Sequence, residues 1–326
     1  MKTKTNKKSK TNNKTKMNKK TKISILMISI TLLLTLGVTI AIILYFYAGN
    51  ISSKVPEELL ANYNVKEETF QNRSVFVIKP KEEQTNSKTI FYLHGGSYLA
   101  ELNESHWEFF QNIIQDTGAT IIIPDYPLAP QYQYTDVFDM IFPLYQEIIQ
   151  KVEQENLILM GDSAGGGMAL ALLEKAGEES LEQPSQTIVI SPWLDVTMTN
   201  PEIEQVQPND LMLNQDLLRL AGIAYAGSEE ETKNYLVSPI YGLLENLGDI
   251  VIYTGTNDIL NPDVHKLEEL ASKSTGTSII VKETEGAVHD WILNRYLMPE
   301  YDNELADNAY QDLITEINDS EQKDNG

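Results

Sequence analysis

The stretch Leu157-Ile158-Leu159-Met160-Gly161-Asp162-Ser163-Ala164-Gly165 decides the fold, because it places a serine between two glycines directly after an apolar run. This pattern is typical of a strand-to-helix turn that exposes a nucleophilic serine, and the flanking glycines leave room for strand and helix to approach. The Ala- and Leu-rich run 166–173 supplies a helix whose N-terminus favours developing negative charge. A plain glycine-rich turn is the alternative, but this context favours Ser163 as a nucleophile.

Strand-like and helical patterns alternate along the rest of the chain. Several of the strand-like runs are apolar on both faces, as central strands of a parallel sheet are. We predict an α/β fold with a doubly wound, mostly parallel sheet of about eight strands flanked by helices. The predicted strands are 74–78, 89–93, 119–123, 157–160, 187–190, 250–253 and 278–281. The predicted helices are 107–116, 137–154, 166–173, 262–272 and 303–317.

One connection, at about 200–247, is too long for a simple crossover between strands. Leucines and an isoleucine recur within 211–226 near helical spacing, which favours a helical segment over a disordered loop. We therefore predict an inserted helical cap over the active site.

The N-terminal segment differs sharply from the rest of the chain in charge. Residues 1–22 contain ten lysines and no acid, while the whole chain has a net charge of -22, so the remainder carries about -32. The apolar run 23–47 is long enough to cross a hydrocarbon core of about 30 Å. It is also longer than a cleaved signal usually is, which favours an uncleaved transmembrane helix over a removed signal.

These segments predict an order of domains and a location. The lysines predict a cytoplasmic tail at 1–22 and an extracytoplasmic catalytic domain at 73–326, joined to the span by a juxtamembrane linker at 48–72. Lysines next to a membrane span are explained by anionic lipid, and the acidic remainder argues against a nucleic-acid partner. The absence of cysteine excludes disulfides, thiol catalysis and cysteine metal sites.

A serine nucleophile needs a base, and the chain has only four histidines. In serine hydrolases with such a strand-turn-helix motif the acid and then the histidine follow the serine along the chain. His289 follows the late strand-like run 278–281 through a short loop, so we predict it as the base. His265 is the alternative, but it falls within an amphipathic helical pattern, where a surface imidazole is expected.

The acid should follow the preceding strand, since catalytic groups collect at the carboxyl ends of parallel strands. Asp258 lies just after the run 250–253 and is our choice for orienting the imidazole. Asp263 competes for this role, although its position at a helix start is equally explained by N-capping. Asp290, next to the base, is expected to face solvent or the cap.

A tetrahedral intermediate needs hydrogen-bond donors, and His94-Gly95-Gly96 lies directly after the strand-like run 89–93. The backbone amides of Gly95 and Gly96 can approach an oxyanion closely, and the amide of Ala164 would be a third donor. His94 itself is expected to hold this loop by hydrogen bonds.

With these motifs the chain resembles the hormone-sensitive lipase family of α/β-hydrolase esterases. The resemblance spans roughly 75–295. It rests on His94-Gly95-Gly96, Gly161-Asp162-Ser163-Ala164-Gly165-Gly166, Asp258-Ile259-Leu260, His289-Asp290-Trp291, Asp125-Tyr126-Pro127-Leu128-Ala129-Pro130, Ser191-Pro192-Trp193-Leu194-Asp195 and Ser238-Pro239. The chain departs from the family pattern at Ser97, Pro127 and Gln131, and none of these is a predicted catalytic residue.

The resemblance implies a carboxylic ester hydrolase with a serine triad, no metal and no cofactor. It implies a small-molecule ester with a short or medium acyl chain as substrate. We predict Tyr98, Trp193 and Trp291 as candidate substrate-binding residues. The alternatives are an acyltransferase, amidase or peptidase acting on a surface polymer, and a non-catalytic ligand-binding module of the same fold.

Overall fold

A single eight-stranded sheet organises the computed structural model, which describes residues 54–82, 87–295 and 303–319. Its strands are β1 (Asn64–Phe70), β2 (Arg73–Lys79), β3 (Thr89–Leu93), β4 (Thr120–Pro124), β5 (Leu157–Asp162), β6 (Gln186–Ile190), β7 (Gly248–Gly255) and β8 (Thr277–Thr284). The spatial order is β1-β2-β4-β3-β5-β6-β7-β8. From β4 to β8 all neighbours are parallel, and only β1 and β2 run antiparallel to their neighbours.

Helices cover both faces of this sheet. They are α1 (Glu57–Asn62), α2 (Glu104–Thr117), α3 (Tyr134–Ile149), α4 (Ser163–Glu178), α5 (Ile203–Val206), α6 (Gln215–Ala226), α7 (Asn261–Ala271) and α8 (Asn303–Asp319). One hydrophobic cluster packs α3, α4, α6 and α7 on one face, and a second packs α1, α2 and α8 on the other. Successive residues of β3 alternate between the clusters, because side chains of a strand point to opposite faces.

The predicted sheet and helices agree with this architecture, with one difference at the N-terminal edge. Residues 57–70, predicted to belong to a linker, form α1 and β1. Strand β1 escaped the sequence pattern because none of its seven residues is buried. Its pairing with β2 comes from backbone hydrogen bonds, which hydrophobic periodicity does not report.

The predicted insertion is helical, but its main helix starts later than expected. Helix α6 begins at Gln215 rather than at 211, because the side chain of Asn214 caps it by accepting the amide of Leu217. Before it, the Asp210 carboxylate accepts the amides of Met212 and Leu213 and so closes a turn. The other oxygen of Asp210 accepts the amide of Ile259, which ties the insertion to the loop after β7.

No helix within the described ranges is both long and apolar enough to cross a bilayer. The basic tail 1–22 and the predicted membrane span 23–47 lie outside those ranges.

Candidate active site

Ser163 lies at the junction of β5 and α4, where the sequence predicted a nucleophile. Its φ of 49° is in the left-handed region, and it is the first residue of the helix. The two flanking glycines are required by close backbone contacts: a Cβ on Gly161 would lie 2.5 Å from the Gly165 oxygen, and a Cβ on Gly165 would lie 2.0 Å from the Leu93 oxygen. The chain therefore makes a turn that no larger flanking residue could occupy.

His289 and Asp258 lie beside this serine. The Nε2 atom of His289 is 2.9 Å from Ser163 Oγ, and its Nδ1 atom is 2.8 Å from Asp258 Oδ2. All three side chains are buried. Asp258 comes from the loop after β7 and His289 from the loop after β8, so neighbouring parallel strands bring them to one edge of the sheet.

The alternative base and acid lie elsewhere. His265 is half exposed on α7 and its Nε2 atom is 2.7 Å from Glu283. Asp263 lies in the first turn of α7, where its carboxylate accepts a hydrogen bond from the side chain of Asn200. Neither contacts His289 or Ser163, so the structure brings together the residues that the sequence favoured.

Asp290 departs from its prediction. Its side chain was expected to face solvent or the cap, but the residue is only 8% exposed and its Oδ2 atom lies 3.1 Å from Nε2 of His289. The Nε2 atom is thus shared by Ser163 and a second carboxylate. Burial lowers the pKa of His289, but the carboxylates of Asp290 and Asp258 outweigh burial and raise this pKa well above its usual value.

Beside Ser163, the loop after β3 presents backbone amides. The amides of Gly96 and Ser97 have no acceptor within the described ranges, and the amide of Ala164, second in α4, precedes the first intrahelical hydrogen bond. Gly96 has a φ of 117°, and a Cβ there would lie 2.9 Å from the Ala100 oxygen, so only glycine fits.

The prediction that Gly95 supplies an oxyanion donor is wrong in this arrangement. Its N–H donates to Asp162 Oδ1 at 2.9 Å and is therefore occupied. The amide of Ser97, two residues further along the loop, is the free donor that the sequence reading missed. No side chain is needed for this role, which is why residue type gave no signal for it.

Asp162 anchors the loop from the strand that carries the nucleophile. Besides the Gly95 amide, its carboxylate accepts the Tyr92 hydroxyl at 2.7 Å, and its second oxygen lies 3.2 Å from Nε2 of His106. The amide of Asn103 donates to Nδ1 of His106, so the proton of the neutral ring is on Nε2 and points at Asp162. Burial would raise the pKa of Asp162, but His106 and the Tyr92 hydroxyl outweigh it and lower the pKa.

His94 holds the same loop from the inside, as expected. Its Nδ1 atom lies 2.7 Å from the Gly95 carbonyl oxygen, and its own carbonyl accepts the Tyr126 hydroxyl at 2.6 Å. The ring stacks on Tyr126 with centroids 4.3 Å apart. Burial lowers the pKa of His94 to about 3, so the imidazole is neutral at physiological pH.

The three aromatic residues predicted to bind substrate are all buried in the hydrophobic core. Tyr98 is 1% exposed and stacks between Trp193 and Tyr225, with ring centroids 5.4 Å and 3.6 Å away. Trp193 is fully buried, and its indole N–H is directed at the Asp195 carbonyl. Trp291 belongs to the second hydrophobic cluster. The sequence could not separate pocket lining from core packing, because both use the same aromatic residues.

The segment that follows β6 links the nucleophile to the histidine loop. The amide of Trp193 donates to the Ser163 carbonyl at 2.8 Å, and the amide of Asp290 donates to Ser191 Oγ at 3.1 Å. Ser191 is itself fixed to β7 through its amide, which donates to the Tyr253 carbonyl. We call residues 191–193 the bridging segment.

Comparison with known proteins places the chain in a family. The α/β-hydrolase fold family matches residues 90–293, which is more than half of the chain. The chain belongs to the α/β-hydrolase family. An esterase of Acinetobacter venetianus is similar to this α/β-hydrolase, being 28% identical over 230 residues that cover 70% of this chain and 76% of the relative. An acetyl-hydrolase of Streptomyces hygroscopicus is 27% identical and covers 66% of this chain and 72% of its own length.

Solved structures agree on the fold of this α/β-hydrolase. An esterase of the bacterial hormone-sensitive lipase family superposes with a TM-score of 0.70 at 18% identity, covering 85% of this chain and 96% of that structure. An esterase/lipase from an uncultured bacterium also gives a TM-score of 0.70, at 24% identity, with 83% and 88% covered. The predicted α/β-hydrolase fold is confirmed.

Proposed function

We propose that this α/β-hydrolase hydrolyses carboxylic esters through an acyl-enzyme formed on Ser163. The observation that carries this proposal is the chain of two contacts from Ser163 Oγ through His289 to Asp258, at 2.9 Å and 2.8 Å. A serine, a base within hydrogen-bond reach and a carboxylate that orients the base are what acyl transfer requires. The esterase and the acetyl-hydrolase among its relatives support the same reaction class.

In this mechanism Ser163 Oγ attacks the ester carbonyl while Nε2 of His289 takes the hydroxyl proton. Asp258 holds the ring by its Nδ1 proton and stabilises the imidazolium that forms. The free amides of Gly96, Ser97 and Ala164 stabilise the negative oxygen of the tetrahedral intermediate. His289 then returns the proton to the leaving alcohol, and in the second half-reaction it activates water, which releases the acid and regenerates Ser163.

The substrate is proposed to be a small ester with a short or medium acyl chain. The acetyl-hydrolase of Streptomyces hygroscopicus among the relatives supports this. A series of chromogenic esters of increasing acyl length tests it: catalytic efficiency is expected to peak at short chains and to fall beyond about eight carbons.

The decisive test of the chemistry is Ser163→Ala. Loss of the nucleophile is expected to lower kcat by at least about 10⁴-fold, while the thermal unfolding midpoint stays within a few degrees of that of the unchanged protein. Ser180→Ala is a matched control, since Ser180 also has a positive φ but lies exposed beyond the far end of α4. Its activity should be unchanged.

A fluorophosphonate should label Ser163 with one equivalent per chain and should fail to label the Ser163→Ala variant. Full turnover by that variant would contradict the proposed mechanism. Absence of both labelling and ester turnover in the unchanged protein would favour the non-catalytic alternative.

We also propose that residues 23–47 anchor this esterase in the membrane, with the catalytic domain on the extracytoplasmic side. The length of the apolar run and the ten lysines before it support this orientation. The full-length chain should stay with membranes after alkaline carbonate extraction, and external protease should cleave the catalytic domain in cells whose wall is removed. Release of the intact chain by carbonate would contradict the anchor.

A further inference from the structure

The imidazole of His289 is contacted by a carboxylate on each of its nitrogen atoms. Asp258 Oδ2 lies 2.8 Å from Nδ1, and Asp290 Oδ2 lies 3.1 Å from Nε2. A neutral Nε2 that accepts the serine proton carries a lone pair, and an ionised carboxylate oxygen carries only lone pairs. Two acceptors at hydrogen-bond distance repel one another, so the Asp290 contact requires a proton between these two atoms.

That proton is in the wrong place for acyl transfer. If it resides on Nε2, His289 is an imidazolium, and if it resides on Asp290, the acid donates to the Nε2 lone pair. In both forms the lone pair that has to accept the Ser163 proton is occupied. The contact therefore describes a resting site with one proton too many for the first step.

We propose that Asp290 holds an additional proton on His289 Nε2, and that this proton has to leave for solvent before Ser163 can attack. This inference rests on the proposed esterase function. The step is a simple ionisation: the N–H bond breaks, its electron pair remains on Nε2, and the proton passes to water or hydroxide. Asp290 then has no proton to accept, and Ser163 becomes the only donor facing Nε2.

The backbone keeps Asp290 in this position. Its φ of 51° is in the left-handed region, which aspartate tolerates better than most residues, and its amide donates to Ser191 Oγ. Its remaining oxygen, Oδ1, is buried and has no partner within the described ranges. With no second donor to stabilise the charge, the carboxylate depends on the proton shared with His289.

The surrounding charges favour retention of that proton. Asp258 from the loop after β7 and Asp162 at the end of β5 both interact electrostatically with Asp290, and so does Tyr92 of β3. Nε2 of His106 lies 3.2 Å from the second oxygen of Asp162. Burial raises the pKa of Asp290 to about 6, with His289 acting in the opposite direction. In a catalytic triad with only one aspartate, no second carboxylate contacts Nε2 of the histidine.

The test compares Asp290→Gly and Asp290→Asn with the unchanged full-length chain. Glycine tolerates the positive φ and removes the carboxylate, and asparagine preserves size while removing the charge. Asp263→Asn is the matched control, because Asp263 is a buried acid whose pKa burial also raises to about 6, but it has no contact with His289. The readouts are the titration of His289 ring nitrogens by ¹⁵N NMR and the acid limb of the pH profile of kcat/KM.

Both Asp290 variants are expected to lower the midpoint of the His289 titration by at least about one pH unit, and to move the acid limb of kcat/KM by the same amount. At a pH below both midpoints this corresponds to about a tenfold gain in activity over the unchanged protein. The Asp263→Asn control should leave both midpoints in place. The NMR titration needs no turnover, so it tests Asp290 even if no ester is cleaved.

A His289 midpoint that stays in place or rises in both folded Asp290 variants would overturn the proposal. The same conclusion would follow if Asp263→Asn lowered the midpoint as much as they do, because the effect would then be a general response to the loss of a buried charge. If Asp290→Gly does not fold, Asp290→Asn alone decides between these outcomes.

Discussion

Asp162 and Asp290 are two buried carboxylates near the same serine, and each lies close to a histidine, yet their surroundings differ in one respect. Asp162 is contacted by three donors, from Tyr92, Gly95 and His106. Within the described ranges, the Asp290 carboxylate has a single polar contact, with Nε2 of His289, and that nitrogen is shared with Ser163. Consistently, the pKa of Asp162 is lowered, whereas that of Asp290 is raised to about 6.

The difference teaches how burial can serve two purposes in one site. A buried charge that is fully hydrogen-bonded is a fixed anchor, since its donors offset the loss of water. A buried charge with too few donors retains a proton and so becomes sensitive to pH. In this enzyme the anchor holds the loop with the free amides, and the pH-sensitive carboxylate contacts the base.

Of the substitutions that test this comparison, Asp162→Asn is expected to have the largest effect on stability and activity. The substitution leaves donors facing an amide and removes the charge that they stabilise, so the free energy of unfolding should fall by about 3 to 5 kcal/mol. The loop amides lose their anchor, and kcat should fall by about a hundredfold. Chemical denaturation and ester kinetics measure the two effects.

Tyr92→Phe is the matched control for this anchor, because it removes one donor and leaves two. Tyr92→Phe should lower the free energy of unfolding by about 1.5 to 3 kcal/mol and should reduce kcat only slightly. The pKa of Asp162 is lowered on folding, so its ionised carboxylate stabilises the fold at neutral pH. This contribution to the free energy of unfolding is lost as the pH falls below the usual aspartate pKa near 4. Equal losses in both variants would contradict an anchor built from several donors.

Glu174→Gln is expected to have a smaller effect, on the pH dependence of stability. It tests a third buried carboxyl group, one without a charged partner. Glu174 is buried on α4, no ion pair reaches it within the described ranges, and burial raises its pKa to about 9. The folded carboxyl keeps its proton while the unfolded chain releases it near pH 4.5, so stability falls as the pH rises between these values.

Between pH 5.5 and 7.5 the unchanged protein should therefore lose about 3 kcal/mol of stability relative to Glu174→Gln. Urea denaturation at the two pH values measures this difference. Glu178→Gln is the control: it changes an exposed glutamate one turn further along α4, leaves Glu174 in place and should lose about as much stability as the unchanged protein. A difference between Glu174→Gln and the unchanged protein that is independent of pH would mean that Glu174 is ionised in the fold.

Much of this fold was predictable because its central strands are apolar on both faces and its helices carry one apolar face. The residues that contact one another around Ser163 were predictable too, since each follows a strand end. Strand β1 was missed because both of its faces meet solvent. Asp290 was missed because its role depends on the direction of one side chain at a positive φ, and residue order does not encode that direction. The occupied amide of Gly95 was missed because residue order does not encode the direction of the Asp162 side chain either.

The bridging segment 191–193 has a consequence for how this enzyme fails on heating. Ser163 and His289 are carried by separate strands, and besides the sheet two hydrogen bonds from this segment join the nucleophile to the histidine loop. Two bonds break at lower temperature than eight paired strands do. The enzyme should therefore stop working several degrees before it unfolds, and it should recover fully when cooled. In that interval the molecule would be an intact scaffold whose reacting groups are temporarily out of register.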